Sequence, residues 1–212
     1  MSMKKSSQAG FTIIELMIAT SVFSIVLIII TSGVISFTRQ YYKGIVTNTT
    51  QNVTRSVSNE ISQALQFGST GATAIYNTAS PVAQVGYCIS GKAYYYAKEH
   101  QLDTSNPANH ALISSSDVGC PSSKNINVAT LNFATSGLNQ PRELLGDKMR
   151  LMDFTITDLG LTNPTRAGSY TIHIKVSYGD TDLLKADGSC KGGVGSEYCA
   201  TSELTTTVVK RL

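Results

Sequence analysis

The hydrophobic pattern divides the chain into three stretches. From Leu16 to Phe37 run 22 consecutive positions with no charge and no proline. That is enough to cross the ~30 Å hydrocarbon layer of a membrane as a helix rising ~1.5 Å per residue. Beyond Arg39 polar residues enter, and Val53, Val57, Ile61 and Leu65 recur every four positions, with Ile45, Val46, Thr49 and Ala64 widening the stripe. This period predicts an amphipathic continuation of the same helix, closed by Gly68 as a C-cap. Such a helix, from Phe11 to Phe67, would measure ~85 Å. Gly44 and the Thr/Asn-rich stretch Thr47–Thr54 weaken helix propensity, so a bend or partial melting is expected there. No proline occurs before Pro81, so no proline kink is expected.

From Gly68 to Pro81 the chain is rich in Ser, Thr, Gly and Ala and reads as a connecting loop. The period then changes to two. "QVGYCISGKAYYYAK" predicts a hairpin turning at Ser90-Gly91, "HQLDTSNPANH" a polar loop, and "INVATLNF" and "LMDFTITDL" two further strands. "YTIHIKVSY" alternates strongly, with Ile172, Ile174 and Val176 on one face, and "ELTTTVVKR" can pair antiparallel with it. About five or six strands facing one helical stripe make an α+β fold, a long N-terminal α-helix packed on a mainly antiparallel β-sheet. No internal repeat is evident.

One residue interrupts the apolar start. Glu15 is the sole charged side chain between Phe11 and Thr38, and a charge in a membrane segment is costly. A secretory signal peptide fits the basic start, but its apolar core is shorter and a small-residue cleavage site follows it. A plain signal anchor, with Lys4 and Lys5 holding the start in the cytoplasm, leaves Glu15 unexplained. The stretch Gly10-Phe11-Thr12-Ile13-Ile14-Glu15 resembles the prepilin processing motif of type IV pilins and type II secretion pseudopilins.

The resemblance implies that a membrane aspartic peptidase cuts between Gly10 and Phe11 and that the new Phe11 amine is methylated. Glu15 is then the retained acid that meets the Phe11 amine of a neighbouring subunit and sets register during assembly. Partners implied are the prepilin peptidase, other pilin subunits through the N-terminal helix, and the bacterial inner membrane before assembly. Residues 1–10 would be a leader peptide, 11–38 a transmembrane and assembly helix, 39–67 its amphipathic continuation, and 68–212 an extracellular, disulfide-bearing β-rich domain. "RSVSNEISQALQFG", the cysteine-bearing hairpin and "RELLGDKMRLMDFTIT" are similar to PilW-type minor pilins and J-type pseudopilins. Many major pilins carry a proline midway along this helix, which this chain lacks.

Composition adds limits. Loss of Lys4 and Lys5 with the leader takes the formal net charge from +3 to +1, too little to argue for nucleic acid. Only 15% of residues are charged, while Ser, Thr, Asn and Gln abound, which suits an exposed extracellular domain. The four cysteines, Cys88, Cys120, Cys190 and Cys199, all follow the apolar segment, and in an exported chain they read as disulfides. The glycines of "KGGVGSEY" favour pairing Cys190 with Cys199, leaving Cys88 with Cys120. Zinc is the competing reading, but no CxxC pair is present.

Catalytic signals are absent: His100, His110 and His173 accompany neither G-x-S-x-G nor HExxH. Asp180, Asp182 and Asp187 near Gly188 do not keep calcium-loop spacing and read as a solvated turn. In Tyr94-Tyr95-Tyr96 the first and third rings share one face, with core packing and one exposed ring expected. Lys92 and Lys98 beside them are too few for a DNA-binding patch. Asn48-Thr49-Thr50 and Asn52-Val53-Thr54 match the glycosylation sequon, which means little in a bacterial chain. The sequence thus points to a minor pilin or pseudopilin with no cofactor, no metal and no chemistry of its own. A pilus-tip adhesin or DNA-binding module, with DNA or a surface ligand as partner, and a membrane-anchored extracellular enzyme are the alternatives.

Overall fold

The computed structural model describes residues 10–79, 83–116, 121–160 and 168–211. One helix, α1 (Ile13–Phe67), is followed by eight strands: β1 (Ala72–Tyr76), β2 (Gln84–Ile89), β3 (Lys92–Tyr96), β4 (Leu112–Ser115), β5 (Arg142–Glu143), β6 (Met149–Asp158), β7 (Ser169–Tyr178) and β8 (Ala200–Val209). The chain forms two compact units, one ending at Tyr41 and one beginning at Tyr42. The architecture is α+β, as the alternation of periods predicts.

In the first unit α1 carries its apolar side chains outward. An 18-residue window reaches a mean hydropathy of 2.7 with none of it buried. Six of its hydroxyls are satisfied within the helix: Thr20, Ser21, Ser24, Thr31, Ser32 and Thr38 each donate to a carbonyl three or four residues back. A surface made of methyl groups and self-bonded hydroxyls suits lipid, where an unpaired polar group finds no water.

In the second unit β1 to β5 form one antiparallel sheet in sequence order, and β6, β7 and β8 form another. The main core lies between α1 and both sheets, with Val57, Ile61 and Leu65 of α1 meeting Tyr87, Ile89, Tyr94 and Leu112 of the first sheet and Phe154, Ile172, Ile174 and Val176 of the second. Ile61 and Leu65 are wholly buried, and each such side chain stabilises by roughly 1.5–3 kcal/mol. A smaller core covers the other face of the first sheet, where Ile126, Val128 and Leu138 pack on Ile75, Cys88, Tyr95 and Ile113.

Several expectations change. α1 runs unbroken through Thr47–Thr54, so partial melting does not occur. The buried stripe passes through Val46, Thr50, Thr54 and Ser58, whereas Ile45 and Thr49 are exposed. Thr50 and Thr54 are buried at little cost because each hydroxyl donates at 2.8 Å to the carbonyl four residues back, leaving a methyl toward the core. Gly68 follows the helix without a left-handed φ. Its role is space: an added Cβ would lie 1.9 Å from Ser90 Oγ and 2.3 Å from the Ala64 carbonyl oxygen.

The supposed loop after Gly68 contains β1, and "INVATLNF" is not a strand. Asn127 caps a short 3-10 turn (Val128–Thr130) by accepting from the Ala129 N–H at 3.2 Å, and Asn132 accepts from the Ala134 N–H at 2.9 Å. These side chains satisfy local N–H groups, so the segment covers the sheet without joining it. The hairpin forms as expected, with Ser90 at φ 52° and Gly91 at φ 80°; two left-handed residues match the twist of the flanking strands.

Candidate processing and assembly site

The residues at the start of α1 form a compact unit. Thr12 is the residue before the first helical position, and its hydroxyl accepts from the Glu15 N–H at 3.3 Å. Glu15 Oε2 in turn accepts from the Thr12 N–H at 2.9 Å and from the Thr12 hydroxyl at 2.8 Å. This is a reciprocal capping box, which satisfies two N–H groups that a helix start leaves unpaired. Its sequence signature is Thr-x-x-Glu before an apolar run, Thr12 to Glu15. Gly10 and Phe11 precede the box outside the helix and are exposed, Phe11 to 85%. Lys4 and Lys5 lie outside the described residues.

The structure therefore brings Gly10, Phe11 and Glu15 within two turns of one another. An accessible Gly-Phe bond is followed by a capped helix start and then by an apolar helix with no protein cover. A model of the prokaryotic N-terminal methylation motif matches residues 5–31. The N-terminus is of prepilin type. Comparison with curated proteins and with solved structures gives no match. The motif and the α+β architecture support a type IV pilin-like or pseudopilin precursor, processed by a peptidase, anchored by its apolar helix and assembled with other pilins. They point to a structural subunit rather than an enzyme.

The cysteines occupy the second unit. Cys190 and Cys199 form a disulfide with Cα atoms 5.8 Å apart, closing the glycine-rich loop. Two α1 side chains reach this loop: the Lys43 ammonium donates to the carbonyls of Ser196 and Cys199, and the Tyr42 ring lies 5.6 Å from that of Tyr198. Cys88 is disulfide-bonded as well, while Cys120 lies outside the described residues.

The three histidines lie on separate elements. His100 Nε2 meets Asn109 at 3.1 Å. His110 stacks on Phe133 with centroids 3.8 Å apart and approaches Glu143 at 3.4 Å. Glu143 is committed to structure, accepting from the N–H groups of Ala111 and Leu112 at 3.0 Å and of Leu144 and Leu145 at 3.1 Å. Burial nevertheless pushes its carboxyl above the usual range. His173 sits between Thr205 Oγ1 at 3.0 Å and Asp153 at 3.5 Å, an order of groups found in hydrolytic triads. Here it lies on an open sheet face whose main-chain N–H groups lie in the plane of the sheet. Asp153 is in turn bonded to Lys98 at 2.6 Å.

Among the described residues no group of three or more His, Cys, Asp or Glu side chains is placed to hold a metal ion. Asp187 accepts from the hydroxyl and N–H of Ser189, which hold its carboxyl below the usual range, and Asp180 accepts from Gln101 at 3.2 Å. The tyrosine run is buried throughout, because the second core covers Tyr95 as the first covers Tyr94 and Tyr96; the expected exposed ring does not exist. Burial pushes the phenols of Tyr94 and Tyr96 above their ordinary range. Lys92 and Lys98 are held by Glu60 and Asp153 at 2.7 and 2.6 Å, so they do not form a free basic patch beside aromatic rings.

Proposed function

We propose that the chain is a minor pilin or pseudopilin, a structural subunit cut between Gly10 and Phe11, methylated on the Phe11 amine, and assembled into a type IV pilus or type II secretion-like fibre. The observation that carries this reading is the match of residues 5–31 to the methylation motif, set against an accessible Gly10-Phe11 step and a capped, uncovered apolar helix. In the proposed organisation residues 1–10 leave as the leader, 11–38 serve membrane and assembly, 39–67 pack on the domain, and 68–212 form an extracellular or periplasmic domain. Glu15 would exchange its Thr12 partners for the Phe11 amine of a neighbouring subunit where water is excluded, since an unpaired charge there is strongly disfavoured.

The test is intact mass of the membrane-extracted protein, wild type beside Gly10→Val. The reading expects a wild-type chain lacking Met1–Gly10 and carrying one methyl, with the variant uncut. An uncut wild type, in cells shown to process other prepilins, would overturn it.

A further inference from the structure

The three-stranded sheet has one open edge, and its hydrogen-bond parity can be worked out. The Lys210 N–H donates to the Gly168 carbonyl at 2.8 Å, while the Leu159 N–H donates to the Ser169 carbonyl at 2.9 Å. Successive β7 residues therefore turn alternately to β8 and β6. The β7–β8 register runs without a break from Ser169↔Val209 to Tyr178↔Ala200, so even-numbered β8 residues bond β7. The odd-numbered ones, Thr201, Glu203, Thr205, Thr207 and Val209, point their main-chain N–H and C=O groups away from the sheet. Both ends of this row agree with the parity. The Cys199 carbonyl accepts from Lys43, and the Arg211 N–H donates to the Gln66 carbonyl at 2.9 Å. Between those two capped positions, none of the five residues has an outward main-chain partner among the described residues.

The edges at β6 and β1 are guarded, and β5 is only two residues long. β6 carries a bulge between Leu151 and Asp153, bridges to Lys98 and Gln101, and donates the Ile156 N–H to the Tyr87 hydroxyl at 3.1 Å. β1 shifts register at Tyr76, which also pairs with Ser123. Proteins blunt free edges with proline, lysine, bulges or cover. β8 has no proline, lysine or bulge: it is regular, its residues 200–209 are mostly β-branched, and its one charge is Glu203; α1 covers it at its two ends, through Lys43 at Cys199 and Gln66 at Arg211.

We propose that the β8 edge is a strand-addition site that takes an extended segment of a partner protein, with alternating β-branched residues and a lysine or arginine facing Glu203. The Glu203 carboxylate lies across the ladder from Lys175, at 3.8 Å, and 3.9 Å from His173, both on β7. β8 itself carries no cation, so edge-to-edge pairing with a second copy would set Glu203 opposite an uncharged residue or the copy's own Glu203. A basic residue there gains a cross-strand pair. Main-chain bonds provide affinity and the alternate side chains specificity. The inference rests on the ladder alone and stands apart from the reading of the N-terminus.

The test uses the full chain in detergent and a peptide of about nine residues, alternating Thr and Val with one Lys, together with two versions N-methylated on alternate amides in opposite phase. The unmodified peptide should bind; methylation in one phase should weaken binding by about tenfold or more, and in the other phase leave it unchanged. Thr205→Pro removes an outward N–H together with the hydroxyl that meets His173 at 3.0 Å, so it should abolish binding, whereas Thr205→Val, which loses only the hydroxyl bond, should bind as the wild type does. Amide exchange at the five odd-numbered residues should be fast in the free chain and slow with peptide bound. Absence of binding, equal binding of both methylated peptides, or slow exchange in the free chain would overturn the proposal. Dimerisation abolished by Thr205→Pro would also overturn it, because the occupant would then be a second copy.

Discussion

Glu15 has two separable jobs, and three substitutions distinguish them. In the isolated subunit its carboxylate closes the capping box with Thr12; in the proposed fibre it provides a negative charge. Thr12→Ala removes the box from the other side. Loss of an N-cap hydroxyl costs about 1 kcal/mol, roughly a fivefold change in how often the first turn is closed. Glu15→Ala removes both box and charge. Glu15→Gln keeps an acceptor that the box tolerates at this position while losing the charge. If charge drives assembly, Glu15→Gln and Glu15→Ala should both reduce fibre yield by about tenfold or more, on the scale of an uncompensated buried charge. Thr12→Ala should then fall only a few-fold. The assay is sheared-fibre protein as a fraction of total processed subunit, with intact mass showing that all three variants are still cut. Normal yield from Glu15→Gln together with failure of Thr12→Ala would refute the reasoning, since Glu15 would then be a helix cap and nothing more.

Two further outcomes follow from the second unit. Ile61→Ala should cost roughly 2–5 kcal/mol, because Ile61 is wholly buried where α1 meets both sheets; thermal unfolding should show Tm lower by roughly 10 °C, and an unchanged Tm would mean that α1 does not pack as described. Glu60 is partly buried, which opposes ionisation, but Lys92 and Arg142 hold its carboxyl below the usual range. Its stabilising contribution is therefore full above the unfolded value near 4.5 and is lost as pH falls through the lower folded value. With Arg142 largely exposed and Lys92 partly so, that contribution is about 1 kcal/mol. Chemical denaturation from pH 7 to pH 3 should show the wild-type advantage over Glu60→Gln disappearing below pH ~4.5, and a constant difference would refute the assignment.

The elements legible in the sequence are those whose signal is local. Ser90-Gly91 announces a hairpin because only certain residues accept its backbone, and β7 is plain because Ile172, Ile174 and Val176 alternate over a continuous run. The N-terminal methylation motif over residues 5–31 is legible because its residues keep a fixed spacing. What was hidden depends on distant partners. Thr50 and Thr54 look like a polar, helix-weakening patch, yet they face the core, and only their back-bonded hydroxyls make that affordable. "INVATLNF" alternates like a strand, but Asn127 and Asn132 satisfy local N–H groups, so its Ile126 and Val128 became cover for a sheet. The Tyr94–Tyr96 run could not reveal burial on both faces until that cover was known.

The same contrast separates the two ends of the chain's function. At the N-terminus, polar groups are made harmless locally: hydroxyls bond their own helix, and Glu15 bonds Thr12. In the proposed assembly such a segment would pass from lipid to a subunit interface without breaking structure, because most of its polar groups are already met and Glu15 would be the charge that takes a new partner. β8 has the opposite arrangement. Its even residues are committed to β7 and its core, while its odd main-chain groups carry hydrogen-bonding capacity that water meets until another extended backbone replaces it. A subunit whose helix needs no particular partner side chain, and whose sheet edge does, would take its place in a fibre by the first and select a neighbour by the second. Thr12→Ala and Thr205→Pro act on these two features separately, so their effects on fibre yield and on partner binding should be independent.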